Sequence, residues 1–152
     1  MANEKYRERV EVLIWRNGLV LMTVNDSPGG VWFGLPGGGI DQGESPMAAA
    51  IRETLEEVGI RLKDVEDTGE VGIKQGIPGA RPDRSIMYMA SRTYLYTGKF
   101  DGTDTSVLGI EGDSTDFKWV TPRVFAQTMR EHYRKNAGGT GDHALRYIQR
   151  FL

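Results

Sequence analysis

Residues 35–60 read LPGGGIDQGESPMAAAIRETLEEVGI, and this stretch determines the fold that we expect for the chain. Three consecutive glycines have no side chains, so the backbone there either turns tightly or lets another group approach closely. Ser45 and Pro46 are residue types preferred at a helix N-cap and first helical position, and Gly59 is the type preferred just after a helix. The sequence therefore predicts a helix between Ser45 and Gly59.

One face of this predicted helix is apolar. Its residues recur at intervals of three and four positions, which is typical of a stripe that packs against a core. The stripe that we expect to face the core consists of Met47, Ile51, Thr54, Leu55 and Val58.

Three carboxylates, Glu53, Glu56 and Glu57, fall on the far side of the same helix. Like charges three and four positions apart repel, and the C-terminal half of a helix is unfavourable for anions. One interpretation is a solvated acidic face. The other is a bound hard cation such as Mg²⁺, which takes oxygen ligands and would turn the repulsion into coordination. The glycines nearby favour the metal site.

The stretch also resembles the signature of the Nudix hydrolase family. That signature is Gly, five residues, Glu, seven residues, Arg-Glu, an aliphatic residue, any residue, Glu-Glu, any residue, Gly and an aliphatic residue. Thr54 stands where the family usually has an aliphatic residue, and its methyl group can still pack. The matching positions are Gly38, Glu44, Arg52, Glu53, Glu56, Glu57, Gly59 and Ile60.

The resemblance implies an α/β (α+β) fold, namely a Nudix-type α/β/α sandwich with a mixed sheet, formed by residues 1–152 as a single domain. It also implies hydrolysis of a phosphoanhydride bond in a nucleoside diphosphate linked to another group, with Mg²⁺ or Mn²⁺ as cofactor. By the same resemblance Glu56 and Glu57 are metal ligands, and Glu53 is a further ligand or the general base.

Other site residues follow from the same resemblance. The backbone carbonyl of Gly37 or Gly38 would add a metal ligand, and Arg52 would hold Glu44 or Glu53 by an ion pair. Many Nudix enzymes use another acidic residue in a late loop, for which the candidates are Glu111, Asp113 and Asp116, with Asp116 nearest to the final strand. Arg81 and Arg84 are candidates for contacts with substrate phosphates.

Composition excludes several function classes. The chain has no cysteine, which excludes disulfides, thiolate catalysis and cysteine zinc sites. His132 and His143 are too few for a histidine metal cluster, and His143 is expected at the surface. The net charge of −2 and the lack of a visible basic stripe predict neither a nucleic-acid nor a membrane partner. A polar N-terminus and the absence of a long apolar run indicate a cytoplasmic enzyme.

The remaining elements are read from turn residues and from β-branched and aromatic content. Asn17-Gly18 predicts a hairpin turn. Trp32 is expected to be a core aromatic. We expect strands at 10–15, 19–24, 31–35, 65–74, 85–97 and 117–120, helices at 122–135 and from 142 to the C-terminus, and loops at 25–30, 75–84 and 98–116.

The substrate is less well determined by the sequence. Signatures that distinguish ADP-ribose and dinucleoside polyphosphate hydrolases within the family do not match here in register. Nucleoside triphosphates are therefore the leading class, with ADP-ribose, nucleotide sugars, dinucleoside polyphosphates and capped RNA ends as alternatives. A non-catalytic nucleotide-binding regulator is the alternative from another class. Nudix domains often form dimers, so a homodimer stays open.

Overall fold

The computed structural model describes residues 6–80, 87–100, 116–135 and 142–152 of the chain. Within these ranges a seven-stranded sheet packs against three helices, which confirms the predicted mixed class. The strands are β1 (Tyr6–Arg16), β2 (Leu19–Ser27), β3 (Gly30–Gly34), β4 (Gly37–Gly39), β5 (Lys63–Ala80), β6 (Met87–Lys99) and β7 (Asp116–Val120). The helices are α1 (Pro46–Val58), α2 (Pro122–Lys135) and α3 (Asp142–Ile148), and a 3₁₀ turn (Gln149–Phe151) follows α3.

The sheet is mixed, and β1 lies at its centre. The order is β3-β2-β1-β6-β5, and β1 runs parallel to β6 while its other neighbours are antiparallel. The short strand β4 pairs with the N-terminal half of β1, and β7 pairs with β2. The glycines that precede α1 are thereby attached to the central strand of the sheet.

Helices cover both faces of the sheet because successive β1 residues point in opposite directions. Val10, Val12 and Ile14 pack with residues of α1, whereas Leu13 packs with residues of α2 and α3. Each face of the sheet therefore has its own hydrophobic cluster, with α1 on one side and α2 and α3 on the other.

Several predicted elements are confirmed, and three predicted loops need correction. Asn17 and Gly18 have φ values of 51° and 76°, as a two-residue hairpin turn requires. The loop predicted at 25–30 is wrong, because β2 and β3 extend to a tight turn at Pro28-Gly29. Within the other two predicted loops, residues 75–80 continue β5 and 98–99 continue β6, whereas 81–84 and 101–115 lie outside the described residues.

The bounds of α1 agree with the prediction. The Ser45 hydroxyl accepts a hydrogen bond from the Ala48 amide, and Gly59 ends the helix in the left-handed conformation. The predicted core stripe is partly wrong, because Met47 and Ile51 are 42% and 40% exposed. The helix is rotated so that its small residues face the sheet, which lets α1 lie close to it. The buried residues of α1 are Ala49, Ala50, Thr54 and Val58.

The three glycines form a strand that other groups approach closely. A Cβ atom at Gly37 would overlap the Val10 carbonyl, and one at Gly38 would overlap the Glu53 carboxylate. The sequence allowed either a tight turn or the close approach of another group at these glycines, and the structure shows the close approach. The prediction for Trp32 is wrong, since this ring is 46% exposed and meets His132 edge-on at 5.1 Å between ring centroids.

Candidate active site

The site begins at the edge of β4. Two backbone hydrogen bonds to β1 flank this strand: the Val12 amide donates to the Pro36 carbonyl, and the Ile40 amide donates to the Glu8 carbonyl. In an antiparallel ladder hydrogen-bonded and non-bonded pairs alternate, so the polar groups of Gly37 point away from β1. The Gly37 amide donates to a Glu57 carboxylate oxygen at 2.9 Å, and the Gly37 carbonyl lies on this same outer edge.

Arg52 connects the glutamates of α1 to this edge. Its guanidinium donates two hydrogen bonds to Glu44, at 2.8 and 2.9 Å, and one to the Gly39 carbonyl at 3.0 Å. One nitrogen, Nη1, also donates to Glu53 at 2.9 Å and to Glu56 at 3.2 Å. The ion pair predicted for Arg52 is therefore present with both Glu44 and Glu53.

The glutamates around Arg52 differ in their electrostatic environment. Hydrogen bonds from the Arg52 guanidinium and from the Asp41 amide lower the pKa of Glu44 from 4.5 to about 2. Burial raises the pKa of Glu53, although Arg52 partly opposes this shift. The predicted position of Glu53 on the far side of the helix is wrong, because its carboxylate faces Gly38 and is only 16% exposed.

The residues around the glycine edge fit a hard divalent cation in their chemistry. The candidate donors are the carboxylates of Glu53, Glu56 and Glu57 and the carbonyl of Gly37, all of them oxygens of the kind that Mg²⁺ prefers. The side chains are not yet arranged as a complete set of metal ligands. Within the described ranges no three acidic or histidine side chains already converge at metal-ligand spacing. Two of the carboxylates are instead turned towards Arg52, and that of Glu57 accepts from the Gly37 amide.

His143 is buried, so its predicted surface position is wrong. It has no exposed area, and its Nε2 lies 2.7 Å from a Glu11 carboxylate oxygen. A Cβ atom at Gly72 would overlap the imidazole ring, so this glycine makes room for it. Glu11 pairs with Gly37 across the β1–β4 ladder. The Glu11–His143 pair therefore joins α3 to the strand that supports the candidate site.

Of the remaining predicted site residues, the structure describes Asp116 alone. Asp116 is exposed at the start of β7 and makes no ion pair within the described part of the chain. Glu111, Asp113, Arg81 and Arg84 lie outside the described residues.

This combination of a mixed sheet, a glycine strand and a glutamate-bearing helix is that of a Nudix protein. The model of the NUDIX domain family matches residues 5–137, and the chain belongs to that family. The family resemblance and the Nudix hydrolase class are thus both confirmed.

Curated relatives carry a more particular activity in their names. An RNA pyrophosphohydrolase of Cereibacter sphaeroides is 35% identical over 117 residues, which span 72% of this chain and 71% of the relative. An RNA pyrophosphohydrolase of Gluconobacter oxydans is 46% identical over 117 residues, which span 74% of this chain and 62% of the relative.

Solved structures agree with the fold. The dihydroneopterin triphosphate pyrophosphohydrolase of E. coli superposes with a TM-score of 0.66 at 17% identity, covering 98% of both chains. A MutT protein from Methanosarcina mazei Go1 superposes with a TM-score of 0.62, covering 99% of this chain and 96% of the other. In the described part of the chain, no helix combines the length and apolar character needed to cross a bilayer.

Proposed function

We propose that this protein hydrolyses a 5′-triphosphate between its α and β phosphorus atoms, in the presence of Mg²⁺, and that the substrate is the 5′ end of an RNA. The observation that carries the hydrolysis is the arrangement of Glu53, Glu56 and Glu57 around Arg52 and the outer edge of Gly37. The names of the curated relatives support RNA as the substrate. Free nucleoside triphosphates, the class predicted from the sequence, contain the same bond.

Glu56, Glu57 and the Gly37 carbonyl would hold the cation. Bound Mg²⁺ neutralises phosphate charge, polarises phosphorus and lowers the pKa of a bound water. The Gly37 amide supports this role from the protein side, because its 2.9 Å hydrogen bond fixes one oxygen of Glu57 beside the glycine strand. A ligand role for Asp116 stays a prediction.

Glu53 is the candidate general base. Its carboxylate is largely buried between Gly38 and Arg52, and burial raises its pKa above that of an ordinary glutamate. A base with a raised pKa accepts a proton more readily near neutral pH. Glu53 would take one proton from the water whose oxygen bonds to the α phosphorus. The bond between the α phosphorus and the bridging oxygen would break, and that oxygen would leave with pyrophosphate. The products are a 5′-monophosphate end and pyrophosphate.

Arg52 and Glu44 would position the base rather than contact the substrate. Arg52 is anchored by its two bonds to Glu44 and by one to the Gly39 carbonyl. This leaves Nη1 aimed at Glu53 and Glu56. A fixed guanidinium holds both carboxylates in place, with that of Glu53 against Gly38. Placement of this kind accounts for much of the rate in phosphoryl chemistry.

The experiment is a substrate panel with and without Mg²⁺. It contains a short 5′-triphosphorylated RNA, the nucleoside triphosphate with the same first base, ADP-ribose and a dinucleoside polyphosphate, and products are separated by chromatography. We expect pyrophosphate and a monophosphorylated RNA, with loss of turnover in Glu53→Gln and full turnover in the control Glu66→Gln, an exposed glutamate on β5. Turnover of the free nucleotide alone would refute RNA as the substrate. No product from any compound would refute hydrolysis and favour a nucleotide-binding regulator.

A further inference from the structure

Three basic residues lie on one face of the sheet next to the candidate site. Arg7, Arg9 and Glu11 occupy every second position of β1 and therefore point to the same face of the sheet. Glu11 contacts His143 of α3, so this is the face covered by α2 and α3. Ser91 on β6 pairs with Arg7 on one side and with Lys74 of β5 on the other. Paired residues of neighbouring strands share a face, so Lys74 belongs to the same surface as the two arginines.

This surface continues directly from the glycine strand. Arg9 pairs with Gly39 across the ladder. The guanidinium of Arg7 lies over the open face of Gly39, where a Cβ atom would be 3.6 Å from its Nη2. Gly39 is two residues from Gly37, or about 7 Å along the strand. A phosphate chain that extends from Gly37 towards Gly39 would therefore come within reach of both arginines.

The charges on this face are unbalanced. Two carboxylates on this face, Glu11 of β1 and Glu70 of β5, are already paired, Glu11 with His143 and Glu70 with Arg146 and Arg150. The side chains of the three basic residues make no hydrogen bond or ion pair within the described residues, and the Nε of Arg9 is buried without a partner. An unpaired buried donor is costly unless a ligand supplies the acceptor. The face is thus locally cationic in a chain whose net charge is −2.

We propose that Arg7, Arg9 and Lys74, the basic strip, bind the phosphodiester backbone of an RNA whose 5′-triphosphate lies at the glycine strand. The strip runs from β1 across β6 to β5, which is two strand spacings or about 10 Å. That length suits the phosphates of neighbouring nucleotides. The inference rests on the proposed function, and it gives a structural reason for RNA over a free nucleoside triphosphate.

The test compares two substrates that differ only in the backbone, a 5′-triphosphorylated five-nucleotide RNA and the nucleoside triphosphate of its first base. The strip variant carries Arg7→Gln, Arg9→Gln and Lys74→Gln. Its control carries three substitutions at exposed positions off the strip, Arg61→Gln, Arg123→Gln and Arg130→Gln. Circular dichroism and the thermal midpoint check folding, and Lys74→Gln alone repeats the test with a single surface change.

We expect the strip variant to raise KM for the RNA at least about tenfold, as the loss of charge-assisted hydrogen bonds predicts, while kcat changes less than about twofold. The KM for the free nucleotide should change less than that for the RNA. The slope of log kcat/KM against log salt for RNA should flatten by about 2, since each lost phosphate contact on a single strand contributes about 0.7. Lys74→Gln should raise the KM for the RNA and leave the KM for the free nucleotide unchanged.

Two results would overturn the inference while the proposed function stands. One is a strip variant that matches the control variant on RNA. The other is an equal rise in KM for both substrates, which would mean that these residues contact the triphosphate alone. If the wild-type protein turns over neither substrate, binding of a fluorescent 5′-monophosphorylated RNA is measured instead. Equal affinities of the strip and control variants for that probe would then refute the strip independently.

Discussion

Replacing Glu44 by glutamine should destabilise the protein in a manner that depends on pH. The substitution keeps the shape of the side chain and removes the charge that accepts two hydrogen bonds from Arg52. The pKa of Glu44 falls from 4.5 to about 2 on folding, and one pKa unit corresponds to about 1.4 kcal/mol. The stabilisation of the native state that this shift implies is therefore at most about 3 kcal/mol. Arg52 is 29% exposed, so solvent screens part of the interaction, and we expect a loss of about 1.5–2 kcal/mol at pH 7.

The sign of the pH dependence follows from the lowered pKa. A carboxylate with a depressed folded-state pKa stabilises the native state fully above its unfolded value of 4.5, and the contribution disappears as the pH falls towards 2. The free energies of unfolding in urea of wild type and Glu44→Gln should thus differ at pH 7 and converge as the pH falls from 4.5 towards 2. That of Glu66→Gln should differ little from wild type at every pH. A difference that is absent at pH 7, or that persists unchanged at pH 2.5, would refute the role assigned to the Arg52–Glu44 pair.

Three further predictions concern the site and its support. Glu57→Gln should retain the fold, since glutamine can still accept from the Gly37 amide, and should lower kcat by about 100-fold or more; steady-state kinetics with near wild-type turnover would contradict its ligand role. Mg²⁺ at 100 times its Kd should stabilise the wild type by about 2.7 kcal/mol, a rise of about 5–10 °C in Tm by scanning calorimetry, and a midpoint that EDTA leaves unchanged would count against a native metal site. His143→Ala should cost about 2–4 kcal/mol in urea unfolding because it leaves Glu11 without its buried partner, and a loss below about 0.5 kcal/mol would show that the pair is not structural.

Much of the candidate site could be predicted from sequence because its residues are close in the chain. The spacing of Glu44, Arg52, Glu53, Glu56 and Glu57 indicated one cluster, and the structure joins four of these residues through hydrogen bonds of Arg52 and the fifth through the Gly37 amide. The helix bounds followed from capping preferences, which depend on neighbouring residues alone.

The errors arose where partners are distant in sequence. The apolar period of α1 did not reveal that Met47 and Ile51 would face solvent, because the rotation of the helix depends on how closely the glycine strand lets it approach. Nothing near His143 in the chain identifies Glu11 as its partner, 132 residues away. The two-residue period of Arg7, Arg9 and Glu11 was a usable signal of a shared strand face, but their neighbours on β6 and β5 follow from strand register.

The sequence by itself therefore determined the family, the glutamate-bearing helix and the carboxylate cluster, since all of these are encoded in the short segment 38–60. The tertiary structure decided which carboxylates are buried against the glycines, which histidine supports β1, and whether scattered basic residues share one surface. The physical reason is that strand register and helix rotation result from packing between segments far apart in the chain. A local pattern of residues cannot specify them.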